Sequence, residues 1–183
     1  MKTSENFDFK FYEWEQKHYN RPLLKQPFGD KWEIYTWGEV GQMARKLATG
    51  LKSLGLRKNA HIGLISKNCR EWIIADMAIM MAGFVSVPFF PSLKGEELNF
   101  LLDFGDVDLL FVGKIETWEE IKNKIPNDLQ LIKFPNYEGF SNVDRGEEWK
   151  NFLDKYEPIK NPHVPKLSDL WTIIFTSGTT GNP

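Results

Sequence analysis

The 183 residues carry a formal net charge of −2, with 42% hydrophobic and 26% charged side chains, the balance of a soluble globular chain with room for one real core. That charge argues against a broad nucleic-acid surface, which needs a basic excess. A single cysteine, Cys69, rules out an internal disulfide and a disulfide-stapled secreted scaffold. The opening Met1-Lys2-Thr3-Ser4-Glu5-Asn6 lacks the apolar core of a signal peptide, so a cytoplasmic protein is expected.

Residues 1–35 are aromatic (Phe7, Phe9, Phe11, Tyr12, Trp14, Tyr19) and are broken by Pro22, Pro27 and Gly29. They read as an irregular arm packed over the main body. An α/β unit is expected over 36–156. Thr36-Trp37-Gly38-Glu39 has the form of a capping box. Val40, Met43, Ala44, Leu47, Leu51 and Leu54 then recur at helical spacing until Gly55 can stop the helix in the left-handed conformation. His61 to Ser66 reads as a short buried strand. Asn68 and Glu71 repeat the capping pattern ahead of a helix from about Cys69 to Ala82 that is apolar nearly all round and therefore expected inside. Gly83 ends it, and Phe84 to Val87 forms a strand that Pro88 terminates.

From Trp72 to Phe90 this stretch approaches the ~20 apolar residues of a bilayer helix. Asp76, Gly83, Ser86 and Pro88 punctuate it, which favours a helix followed by a buried strand. A helix over Glu96 to Phe104 follows, then a strand at Asp108 to Val112, a helix over Glu116 to Lys124 and a strand at Leu129 to Phe134. The alternation implies a mainly parallel sheet flanked by helices on both faces. A helical stretch from Glu147 to Tyr156 leads into the last unit, 157–183. There Pro158, Pro162 and Pro165 mark an extended connector, and Leu170 to Phe175 reads as a strand running straight into Thr176-Ser177-Gly178-Thr179-Thr180-Gly181.

Strand, hydroxyl residues and two glycines are what a polyanion-binding loop needs. Gly178 and Gly181 let the backbone approach phosphate oxygens, successive N–H groups form a concave anion site, and Thr176, Ser177, Thr179 and Thr180 add hydroxyl donors. Ligands of open α/β sheets gather outside the carboxyl ends of strands, where this loop emerges. The common NTPase P-loop needs four residues between its glycines and a following Lys. A hydrolase elbow needs glycine where Phe175 stands. Neither fits.

Phe-Thr-Ser-Gly-Thr-Thr-Gly-Asn-Pro, residues 175–183, resembles the signature loop of the adenylate-forming superfamily of acyl-CoA synthetases, luciferases and peptide-synthetase adenylation domains. Six fixed positions arise by chance on the order of once in ten million start sites. Tyr35-Thr36-Trp37 is similar to that family's early segment. Ser66 to Trp72 is similar to the Asn-x-x-Glu-Trp stretch of long-chain acyl-CoA synthetases, and Ala82 to Pro88 to the family's turn into a Pro-ended strand. The likeness runs from about Trp32 to the last residue, generic over Lys114 to Lys166.

The resemblance implies part of the large amino-terminal domain of an acyl-CoA synthetase-like fold, and a two-step reaction. A fatty-acid carboxylate attacks the α-phosphate of ATP, with Mg²⁺, to give an acyl-adenylate, and the thiol of CoA then takes the acyl group. Thr176, Ser177, Gly178, Thr179, Thr180 and Gly181 would hold the β- and γ-phosphates. The family's loop continues with lysine and glycine, so the chain is expected to be an amino-terminal fragment, inactive alone, with the catalytic lysine beyond Pro183. An aryl-CoA ligase, a peptide-synthetase adenylation domain and a non-catalytic α/β module remain open alternatives. Partners are small molecules (fatty acid, ATP, CoA), with no nucleic acid and no transmembrane segment; peripheral membrane association and oligomeric state stay open.

Other residues carry blander readings. Cys69 in a first helical turn fits packing better than reactivity. His18, His61 and His163 are too scattered for a metal site. Asp103, Asp106 and Asp108 lack the glycine and distal glutamate of a calcium loop. Met77, Met80 and Met81 suit a core better than an acyl tunnel. Trp118, Trp149 and Phe152 read as ordinary apolar faces. The Lys94-Gly95-Glu96-Glu97 helix start lacks a Ser/Thr cap.

Overall fold

The computed structural model describes residues 7–176, and side chains from Lys10 onward. The first thirty-odd residues are not irregular. They form a helix, α1 (Phe7–His18), and an antiparallel hairpin, β1 (Pro22–Phe28) and β2 (Lys31–Thr36). Both strands of a two-stranded ribbon are edges, so Pro22 and Pro27 cost the ladder little. Gly29, at φ 55°, makes the two-residue turn with Asp30.

Thr36 then caps α2 (Trp37–Ser53) as its spelling implies. The Thr36 hydroxyl accepts from the Glu39 N–H at 3.2 Å, and Glu39 accepts from the Thr36 N–H at 2.8 Å. Gly55 follows at φ 70°. Next come β3 (His61–Ile65), α3 (Arg70–Ala82), β4 (Val85–Phe89), α4 (Gly95–Phe104), β5 (Val107–Val112), α5 (Trp118–Ile121), β6 (Gln130–Lys133), β7 (Glu147–Glu148) and α6 (Trp149–Asp154). The helix expected over Glu116 to Lys124 is one short α-turn finished by a 3₁₀ turn at Lys122–Lys124.

The sheet has five strands in the order β4-β3-β5-β6-β7, every pair parallel. Alternation along the strands divides the core. Ile62, Leu64, Leu109, Phe111 and Ile132 pack with α2, α3 and α6 on one face. Ile65, Val87, Leu110, Val112 and Leu131 pack with α4 and α5 on the other. The anticipated α/β architecture with a parallel sheet between helical layers is therefore present.

Three local expectations need correcting. Pro88 does not end its strand; it lies within β4, which runs on to Phe89. β4 is the last strand of the sheet, where a missing N–H is tolerated. The Leu170 to Phe175 strand is reduced to one parallel bridge, Thr172 to Ser86. Third, α3 is not interior all round: Ile74, Ala75, Ala78, Ile79 and Met81 are buried, whereas Ile73 is 40% exposed and Trp72 and Met77 are only half-buried. Among the described residues no helix is long and apolar enough to cross a membrane.

Candidate functional site

The segment leading into the hydroxyl-glycine loop is held against β4. The Ser86 N–H donates to the Trp171 carbonyl at 2.8 Å, and the Ile173 N–H donates to the Ser86 carbonyl at 2.9 Å. Counting on from the Thr172–Ser86 bridge puts Phe175 level with Phe89, and their rings do stack, centroids 6.0 Å apart. Thr176, one residue further and exposed, thus emerges at the carboxyl end of the parallel strands, where such sheets collect ligands. Ser177, Gly178, Thr179, Thr180 and Gly181 lie outside the described residues. Among the described residues no group of three or more His, Cys, Asp or Glu converges as a metal cage.

The Asn-x-x-Glu-Trp stretch takes a different form from the cap its spelling suggests. Cys69, not Asn68, is the N-cap of α3, and it makes no side-chain cap bond. Glu71 turns inward instead and is 1% exposed. It accepts from Arg70 Nε at 2.6 Å and from the Tyr137 hydroxyl. Arg70 reaches across to Glu33 and the Tyr35 hydroxyl on β2, and its guanidinium lies 5.0 Å from the Phe28 ring and 4.6 Å from the Tyr35 ring. The hairpin is thus riveted to α3 and to the loop bearing Tyr137. Burial and then the Glu71 carboxylate push the Tyr137 phenol far up. Burial and then Glu33 push Tyr35 up to about 12. Burial works against the Arg70 charge, but the Glu71 hydrogen bond and field outweigh it and hold its pKa high. The Cys69 thiol is pushed up by burial, then by Glu71, which makes it a packing group rather than a nucleophile.

The open side of α3 floors a groove of 670 Å³. Four of the chain's seven tryptophans, Trp14, Trp37, Trp72 and Trp171, line it with Asp76 and Met77. Met81 is fully buried and Met80 nearly so, the core role expected of them; Met77 faces the groove. Sequence reasoning missed this feature because its walls come from α1, β1, the start of α2, α3 and Trp171. The legible part was the i, i+4 stripe Trp72, Asp76, Met80. Elsewhere, Asp106 and Asp108 both pair with Arg57, at 2.6 and 2.9 Å. Trp118, Trp149 and Phe152 are core residues.

Comparison with known proteins extends the picture. The AMP-binding enzyme family matches residues 11–183. Long chain acyl-CoA synthetase 4 of Arabidopsis thaliana is 30% identical, over 92% of this chain and 28% of its own length. The long-chain-fatty-acid–CoA ligase ACSBG2 of Rattus norvegicus is 26% identical, over 88% of this chain and 26% of its own. The solved anthranilate CoA ligase AuaEII, in complex with anthranoyl-AMP, shares the fold with a TM-score of 0.80 at 20% identity, over 97% of this chain and 33% of that one. The chain spans about a quarter of the length of these curated relatives.

Proposed function

The chain belongs to the AMP-binding enzyme family, and on that premise we propose that it forms the amino-terminal part of a ligase that converts a long-chain fatty acid to its acyl-adenylate and then to acyl-CoA. The observation that carries the reading is the placement of Thr176, and with it the start of Thr176 to Gly181, at the carboxyl end of the parallel sheet. In this reading the loop's hydroxyls and backbone N–H groups hold the β- and γ-phosphates of ATP while the carboxylate oxygen attacks the α-phosphorus. Pyrophosphate leaves, and the CoA thiol then attacks the acyl carbonyl and releases AMP. Mg²⁺ bound to the nucleotide would supply charge neutralisation at its phosphates. The chain's own contribution is positioning and charge stabilisation, which dominate phosphoryl chemistry. The long-chain substrate is supported by the long-chain acyl-CoA synthetases and ligases among its relatives at 26% and 30% identity and by the Asn68 to Trp72 stretch.

In a complete enzyme carrying this segment, Thr176→Val or Thr179→Val should slow ATP–pyrophosphate exchange while leaving fatty-acid binding intact. A charge-assisted hydrogen bond is worth roughly 1.5–3 kcal/mol, so the loss should be about ten- to a hundredfold in rate. Exchange at wild-type speed in both variants overturns the loop assignment. Exchange supported by benzoate or an amino acid, but not by palmitate, overturns the substrate class and leaves adenylation standing.

A further inference from the structure

We propose that the four-tryptophan groove is a binding site for a small organic ammonium, an ion with an apolar body whose charge sits against Asp76, separate from the acyl-activation chemistry. At 670 Å³ the groove falls within the ~300–1,000 Å³ range of small-molecule sites. Its walls are tryptophan and other apolar side chains, and the Trp14 and Trp37 rings lie 6.0 Å apart, tilted by 40°. Aromatic faces present negative potential, and tryptophan offers the strongest such surface to a cation.

The floor decides between a cation and a hydrocarbon. Asp76 is partly buried on α3 among these rings, and among the described residues no Lys, Arg or His lies in ion-pair reach of it. Burial pushes its carboxyl up, an effect the neighbouring Ser86 hydroxyl tempers without a well-formed hydrogen bond. Ser86 itself is fully buried, and its hydroxyl makes no well-formed hydrogen bond among the described residues. A purely apolar occupant would cover this carboxylate and leave it unpaired, which is unfavourable. An ammonium supplies the missing counter-charge while its alkyl groups meet the rings. Lys10 on the rim does not oppose this: its Nζ lies 3.7 Å from Glu13, and its side chain is 47% exposed to water. The anionic carboxylate and the aromatic box thus select the same ligand class from two directions.

The test is a tryptophan-fluorescence titration of the 183-residue chain at constant ionic strength with choline, its neutral isostere 3,3-dimethylbutanol, and decanoate. Choline should bind saturably, and the isostere at least about tenfold more weakly, because only charge distinguishes them. Asp76→Asn, checked for folding by circular dichroism, should weaken choline by about tenfold and leave the isostere unchanged. Equal binding of choline and the isostere, tighter binding of decanoate, or choline binding untouched in a folded Asp76→Asn variant overturns the proposal. If that variant does not fold, the comparison of choline, isostere and decanoate on the unaltered chain decides alone.

Discussion

Glu71 sits at the centre of a polar cluster with Arg70, Glu33, Tyr35 and Tyr137, and its neighbours differ sharply in exposure. Its own side chain is 1% exposed and that of Arg70 15%, whereas Glu33, the second carboxylate on Arg70, is 47% exposed. Removing the buried partner strands a charge in low dielectric, and removing the exposed one exchanges it for water. Glu71→Ala should therefore cost about 3 kcal/mol, the lower end for a broken buried pair because Glu33 remains, and Glu33→Ala under about 1 kcal/mol. Urea denaturation of both variants checks this, and equal losses refute the ranking. The tyrosines of the cluster add a pH dependence. Tyr35 is raised from 10.0 to about 12, and Tyr137 is raised as well. The unfolded chain loses these protons first, so the stability they confer is fully present below pH 10 and declines as pH climbs towards 12. Tyr35→Phe and Tyr137→Phe together should flatten that alkaline decline; an unchanged slope would show that other groups cause it.

At the scale of elements, α2 approaches α6 closely at Gly50. A Cβ built on Gly50 would lie 2.4 Å from Phe152 Cε1 and 2.8 Å from Tyr156 Cε2, and Phe152 is 1% exposed and cannot swing aside. Overpacking of this kind costs about 1–3 kcal/mol, which outweighs the ~1 kcal/mol a helix gains from Ala over Gly. Gly50→Ala should lower the urea midpoint, and Phe152→Leu in the same chain should recover part of it. A midpoint at or above wild type would contradict the packing argument. Elements whose signals are local were legible in sequence: the Thr36–Glu39 box, and Gly55 and Gly83, whose φ of 70° and 78° only glycine adopts cheaply. Elements defined by a partner were not. The Pro22–Phe28 strand needs Lys31–Thr36 beside it to tolerate its prolines. Pro88 reads as a stop unless β4 is known to be the last strand. The two residues of β7 exist only by pairing with β6. Asn68 and Glu71 had the letters of a cap, yet Tyr137, sixty-six residues away in sequence, gave Glu71 better employment.

For the molecule as a whole, the parallel sheet and its two helical layers were legible, because strand–helix alternation repeats along the chain. Of the candidate site, only Thr176 could be placed in space. The segment that presents it joins the sheet through one bridge, made by two backbone hydrogen bonds, and apolar side chains around it stay open to water: Phe90 at 59%, Phe104 at 67% and Ile174 at 64% exposed. The curated relatives are about four times as long as the stretch they share with this chain. In the proposed reaction the adenine, CoA and catalytic-lysine contacts are assigned to those additional parts. A polypeptide of these 183 residues by itself should therefore hold nucleotide by phosphate contacts alone. Hydrogen bonds made in water are worth only about 0.5–1.5 kcal/mol each, or up to ~3 when charge-assisted, and association must first offset the nucleotide's lost translational and rotational freedom, so no strong affinity remains. Calorimetric titration of this polypeptide with Mg·ATP should show no saturation at millimolar nucleotide, and palmitate with CoA and ATP should yield no thioester. Low-micromolar ATP binding, or acyl-adenylate formed by the 183 residues alone, would instead place the essential site on the sheet described here, with Thr176 and its neighbours sufficient to run the first half-reaction.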